Sequence, residues 1–401
     1  MLGETVQRSR PALRYLGLLW LAGLSLRLTV LAVPPLLPQI HQSLGLDETA
    51  LSALTTLPVL LMAAMAPAGS AVTSRLGPKG TLRIGLVVVA VAAALRGTGG
   101  VAALFVLTFV MSAAIAAVQP AMPALVKQWA PRWVGLATAV YVNGLLAAEV
   151  ISASLTLPAI LPLTGSWPTA LAAWSLPVVV TAALLGMPRR AHRAGAEPAA
   201  GRPGRARWWP DWRNGRTWRL GVLQGSGSAA YFGANALLPT YLHAIGHPGL
   251  VGAGLTVLNG AQIPASFLLA ALPPRRTTSA PAIAVFGLMI VIGVPLVLSG
   301  NPAAILAGAI LLGFTSSAML ITALTLPALL EGPEEAPRLS AGMFVIGYGM
   351  AFLLPLIGGA AWDISGVPAA AFAPILVGAA GLLALVPALR RDRAPAAEGA
   401  G

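Results

Sequence analysis

An arginine and a glutamate stand inside long apolar stretches of this chain, where charge is costly and therefore informative. Arg27 lies near the middle of the run 13–37, and Glu149 lies well inside the run 134–157. A guanidinium at such depth in a bilayer costs roughly 2.5 to 3.5 kcal/mol on insertion scales. Its neighbours in Ser25-Leu26-Arg27-Leu28-Thr29 are mostly apolar, so compensation must come from another helix, from water in a cavity or from a bound ligand. A guanidinium and a carboxylate can hold each other while a site is empty. An anionic or strongly polar substrate can then replace the carboxylate on the arginine, and protonating the glutamate would free the arginine for it, coupling proton binding to substrate binding. A static ion pair that only holds helices together is the alternative.

Uncharged polar residues recur at helical spacing. Gln224, Ser228, Tyr231 and Asn235 fall at i, i+4, i+7 and i+11, which places four polar side chains on one helical face. Lipid would leave them poorly satisfied, so the face is expected to look into a cavity or onto another helix. Similar stripes are Thr108, Ser112 and Gln119, and Asn259, Gln262 and Ser266. Such residues also serve simply to bond helices together, at about 0.6 to 2 kcal/mol each. Three stripes together favour a cavity, which makes Arg27, Gln119, Gln224, Ser228, Tyr231, Asn235, Asn259 and Gln262 candidate substrate-binding residues and Glu149 the candidate proton-coupling residue. Arg96, at the outer end of a run, is expected to reach the interface along its aliphatic stem, and Asp363, at another outer end, to be solvated. His41, His243 and His247 read as loop residues and His192 as part of a linker, so neither a metal cluster nor a buried histidine relay is expected.

The elements that must position these residues follow from composition. The 401 residues are 57% hydrophobic and only 9% charged, with a mean hydropathy of +0.81, far from the range of a soluble domain. There is no cysteine, hence no disulfide, thiolate nucleophile or cysteine metal site. Apolar runs fall near 13–37, 49–73, 82–98, 101–124, 134–157, 168–187, 218–241, 250–271, 280–298, 302–329, 339–360 and 367–388, which predicts twelve membrane spans. With that assignment, 23 of the 25 basic residues lie on one side, so both termini and the stretch 188–217 are expected to be cytoplasmic. The net charge of +13 therefore reads as topology and not as a nucleic-acid surface, which would need a solvated basic domain.

Residues 188–217, rich in Arg, Pro, Gly and Ala, read as a linker between a half spanning 1–187 and a half spanning 218–401. An internal repeat supports the division. Leu36-Leu37-Pro38, six residues and Gly45 recur as Leu237-Leu238-Pro239, six residues and Gly246, and the shared offset sets Arg27 opposite Ser228. Counted from the cytoplasmic end, Arg27 and Glu149 both lie about 21 to 22 Å into their helices at about 1.5 Å per residue, so they could meet.

Several segments resemble the major facilitator superfamily and, within it, the cyanate and nitroimidazole transport family. They are Leu26-Arg27, Val33-Pro34-Pro35-Leu36-Leu37-Pro38-Gln39-Ile40, Thr55-Thr56-Leu57-Pro58-Val59, Leu95-Arg96, Leu238-Pro239-Thr240-Tyr241-Leu242 and Gly347-Tyr348-Gly349, with Pro355, Gly358, Asp363 and Gly366. The resemblance implies an all-α membrane protein of twelve helices in two pseudo-symmetric six-helix halves, with the first and fifth helices in the same half, and adds Tyr348 to the candidate site. Two departures stand out. The run Ser74-Arg75-Leu76-Gly77-Pro78-Lys79 lacks the acidic residue usual in the superfamily's loop, and Ser25 stands where the family has asparagine.

The implied function is secondary active transport of a small anion or compact polar molecule, cyanate-like or nitroimidazole-like, across the cytoplasmic membrane by alternating access. The partners expected are that substrate and the lipid bilayer, with no nucleic acid, no cofactor and a monomeric chain. Competing readings are an exporter of apolar drugs, which would need a large aromatic and methionine-lined cavity, and a non-transporting membrane sensor. An intramembrane enzyme would need clustered acids, nucleophiles or metal ligands, and ATP-driven transport would need a Gly-rich Lys-Ser/Thr loop; neither pattern is present.

Overall fold

The computed structural model describes residues 2–119, 121–131, 133–186, 210–331 and 335–391. Most of the expected linker, residues 188–209, lies outside them. All regular structure among the described residues is helical. In the N-terminal stretch the helices are α1 (Leu2–Leu31), α2 (Leu37–Leu44), α3 (Glu48–Ala64), α4 (Ala66–Leu95), α5 (Gly100–Val118), α6 (Ala121–Trp129), α7 (Val134–Leu155), α8 (Leu161–Thr164), α9 (Trp167–Ala173) and α10 (Leu176–Gly186). The C-terminal stretch holds α11 (Gly215–Ala244), α12 (Val251–Gly260), α13 (Gln262–Ala271), α14 (Pro274–Thr277), α15 (Ala280–Leu298), α16 (Pro302–Leu330), α17 (Ala336–Ser365) and α18 (Ala373–Arg391).

Ten stretches among the described residues are long and apolar enough to cross a membrane. Two expected spans fall short of that description for opposite reasons. The second ends early, because α3 stops at Ala64 and the chain bends at Met65 before α4. The seventh, α11, runs for 30 residues, three of them before the expected start, but its glutamine, asparagine, serines and arginines dilute its apolar character. Its middle is nevertheless almost wholly buried, so it lies inside the bundle, away from lipid. Within α4 the backbone breaks at Gly77, at φ 70° and ψ 159°, a left-handed value that glycine tolerates, with Pro78 starting the next helical piece. Outward-facing apolar side chains such as Phe267 at 69% and Val377 at 70% exposure are what a bundle solvated by hydrocarbon presents.

Prolines and glycines place the breaks that shape the interior. After α1, Pro34 and Pro35 remove two amide donors and the chain continues as a short 3-10 turn, Pro34–Leu36, before α2. Between α12 and α13 the helix breaks at Ala261, where Pro264 cannot donate to the carbonyl of Gly260. Buried apolar residues gather into a large cluster drawn, apart from Ala153, from residues 220–389, and into two others drawn from residues 18–185 and 24–174.

The two stretches are stitched together at one end of the bundle. Asp47 caps α3 by accepting from the amide of Ala50 at 2.7 Å, and Asp363, near the end of α17, accepts from the amides of Glu48 at 3.0 Å and Thr49 at 2.9 Å and from the Thr49 hydroxyl. Two carboxylates thus share the free first-turn amides of one helix, where the helix dipole favours negative charge. The carboxylate of Glu48, itself buried, accepts from the Thr240 hydroxyl of α11 at 2.8 Å. Asp363 is exposed as expected, but it is bonded across the chain and not merely solvated. Asp363→Ala is expected to lower stability by about 0.5 to 2 kcal/mol, the usual cost of a lost helix cap, with Asp363→Asn losing less. Thermal unfolding in detergent checks this, and an unchanged midpoint in Asp363→Ala would show that the cross-chain cap contributes nothing.

Candidate functional site

Arg27 and Glu149 are brought together by a close contact between α1 and α7. A Cβ on Gly23 of α1 would lie 2.3 Å from the Tyr141 carbonyl oxygen, and one on Gly144 of α7 would lie 2.2 Å from that of Trp20. The helices therefore touch backbone to backbone, as small residues permit inside a membrane. One turn beyond this contact, Arg27 Nε stands 3.5 Å from Glu149 Oε1. That is an ion-pair contact and not a hydrogen bond, and Nε has no hydrogen-bond partner. Among the described residues no acceptor bonds the rest of the guanidinium, and the Arg27 side chain keeps 19% of its surface against 4% for Glu149. The arginine thus retains free donors on a side that is open.

The second oxygen of Glu149 is held from the C-terminal stretch. Gln262, the first residue of α13 after the break at Ala261, donates its amide to Oε2 at 2.7 Å. A polar chain continues beside it. The Tyr231 hydroxyl donates to Asn259 Oδ1 at 2.7 Å, and the Asn259 amide donates to Asn235 Oδ1 at 3.2 Å and to the Leu255 carbonyl at 2.8 Å. The Asn235 amide returns to the Tyr231 carbonyl at 3.0 Å. Apolar and aromatic groups close the other side. The Phe232 ring lies 5.9 Å from the Arg27 guanidinium carbon, within cation–π range, and meets Tyr231 edge-on at 4.9 Å. Val59, Ala351 and Tyr348 pack with these rings, and Tyr348 stacks on Phe344 at 5.6 Å.

The remaining candidates divide. Gln224 is buried with both amide atoms unpartnered, its stem pressed against the backbone of Gly347; it belongs to the same helix as Tyr231 and Asn235 but shares no bond with them. Ser228 is half-buried and Gln119 sits half-buried just past the end of α5; among the described residues neither side chain has a bond to the Arg27 cluster. Ser25 is not part of the site: it is fully buried and its hydroxyl donates to Thr181 of α10 at 3.0 Å. Phe232 has no sequence signal beyond its place beside Tyr231, since a phenylalanine in a membrane helix is ordinary. Arg96 does not reach an interface; it is fully buried.

Comparison with known proteins identifies the family. The sequence model of the Major Facilitator Superfamily matches residues 19–275. The chain is 26% identical over 350 residues to an uncharacterized transporter, YycB, of Bacillus subtilis (strain 168), covering 86% of each chain. It is 28% identical over 352 residues to the 2-nitroimidazole transporter of Escherichia coli (strain K12), covering 87% of this chain and 88% of that one. The cyanate transport protein CynX of the same organism is 28% identical over 227 residues, 56% of this chain and 58% of its own. Among solved structures, a bacterial homolog of the human lysosomal transporter Spinster, inward-facing and unoccupied, superposes with a TM-score of 0.75 at 14% identity over 96% of this chain and 99% of that one. A D-xylose-proton symporter gives 0.69 at 12% identity over 93% and 96%. A multi-span helical bundle with a buried ion pair, matched by the superfamily's sequence model over more than half its length, places this chain in the major facilitator superfamily, with a resemblance to its cyanate and 2-nitroimidazole transporters.

Proposed function

We propose that the chain is a secondary active transporter of a small anion or compact polar molecule, cyanate-like or nitroimidazole-like, across the cytoplasmic membrane. In this reading the ten apolar stretches, α3 and α11 make twelve spans in two six-helix halves, 1–187 and 218–401. Residues 188–217 link them, both termini are cytoplasmic, and the monomer works without a cofactor. The observation that carries the proposal is the chain of contacts Arg27–Glu149–Gln262, which joins the two halves through one charge pair in the interior of the bundle.

The roles follow from the geometry. Arg27 has donors to spare and an open side, so an anionic or strongly dipolar ligand would bond it directly. Such a ligand competes with Glu149, which on release takes a proton and still keeps Gln262 as a hydrogen-bond partner. Tyr231, Phe232 and Tyr348 present ring faces and edges beside the guanidinium, which favours a flat, compact ligand over a bulky apolar drug. Asn235 and Asn259 brace Tyr231, and Gln224, Ser228 and Gln119 supply further polar groups along the path. The stitching at Asp363, Glu48 and Thr240 closes the end of the bundle opposite the termini, so the conformation is read as inward-facing. Opening that end requires those bonds to break as one half rocks against the other.

Uptake of radiolabelled cyanate and of 2-nitroimidazole into liposomes containing the purified protein tests the substrate class. Arg27→Gln is expected to lower uptake at least tenfold, equivalent to about 1.4 kcal/mol; equal uptake by both proteins would remove Arg27 from the site. In Glu149→Gln the pH dependence of uptake is expected to flatten, and a profile identical to the parent's would rule out a coupling role. Stability gives an independent check on the pair. Glu149→Ala strands a buried guanidinium and is expected to cost about 3 to 5 kcal/mol, more than Arg27→Gln combined with Glu149→Gln, which removes both charges.

A further inference from the structure

Arg96 is the largest fully buried side chain in the described residues, and no carboxylate among those residues forms an ion pair with it. It follows the last residue of α4 and reaches into the place where α1 ends. There its Nη2 donates to the Thr29 carbonyl oxygen at 2.6 Å, its Nη1 rests 3.7 Å from the Met111 sulfur, and its Nε has no partner. The Thr29 carbonyl is one of those that the helix break sets free. In a continuous helix it would accept from the amide of Val33, but that amide bonds the Val30 carbonyl at 3.3 Å, and the next residue, Pro34, has no amide hydrogen. In hydrocarbon such a carbonyl must find a donor within the protein. The guanidinium supplies one, and the negative end of the α1 dipole offsets its charge in return. Thr29 is two residues beyond Arg27.

We infer that Arg96 is a positioning residue for Arg27: by pinning the broken end of α1 through the Thr29 carbonyl, it fixes the height and rotation at which Arg27 meets Glu149. Only its consequence for substrate movement rests on the transport reading; the positioning itself is a statement about geometry and is tested without a substrate. Hydrogen–deuterium exchange by mass spectrometry on the purified full chain reads the pin. Arg96→Met is expected to speed exchange at least tenfold within residues 28–37 and not elsewhere, whereas Arg96→Lys, whose ammonium can still donate to the carbonyl, recovers most of the protection. Should Arg96→Met not fold, Arg96→Gln replaces it.

A thermal-unfolding cycle reads the connection to the ion pair. The fall in midpoint caused by Arg96→Met in the parent chain is expected to be at least twice that in a chain already carrying Arg27→Gln and Glu149→Gln, because in the latter there is no pair left to misplace. Equal falls in the two backgrounds, or exchange that rises evenly along the chain, would make Arg96 a general packing residue and overturn the inference. If liposome uptake of cyanate and 2-nitroimidazole fails while both of these results hold, the transport reading falls and the positioning role stands.

Discussion

The structure depends on keeping one guanidinium in a place where lipid will not solvate it. Arg27 is tolerable because a carboxylate faces it, and the carboxylate faces it because α1 and α7 meet at two glycines with no side chain between their backbones. Widening that contact by a methyl group on either helix would separate the charges and raise the cost of burying each of them. Much of the surrounding sequence can be understood as protecting this arrangement. Ser25 ties α1 to α10, Trp20 donates to Asn143 of α7 at 2.9 Å, and the proline pair ends α1 just past the charge.

The pair is also where the two stretches of chain meet in the interior. Gln262 comes from a different part of the sequence, yet it occupies the oxygen of Glu149 that Arg27 leaves free. A neutral amide suits this task. It donates to a carboxylate, and by turning over it accepts from a carboxylic acid, so the contact survives a change in protonation. A second charge at that position would lock one state.

Much of this was legible in the sequence, and what was not has a physical cause. Arg27, Glu149 and the face formed by Tyr231 and Asn235 stand out because polar groups are rare in apolar runs and helical spacing shows which of them share a side. Equal depths along their helices allowed Arg27 and Glu149 to meet, and only the structure pairs them. Gln262 was visible as a polar residue, but its partner was not, since periodicity describes one helix and says nothing of which helix lies opposite. Arg96 and Asp363 were misread for the same reason. Position along a run suggests an interface, whereas the burial of Arg96 depends on a break in α1 and the bonding of Asp363 on the free first-turn amides of α3.

The break at Ala261 divides the candidate site into parts with different freedom. Asn259 lies before it and is anchored to Tyr231, Asn235 and the Leu255 carbonyl, whereas Gln262 lies after it and touches Glu149. A swing of α13 about this joint would lengthen the amide–carboxylate bond and leave the asparagine pair seated. The Glu149 carboxylate therefore stands at the seam between a side of the candidate site braced by several bonds and a side held to it by one.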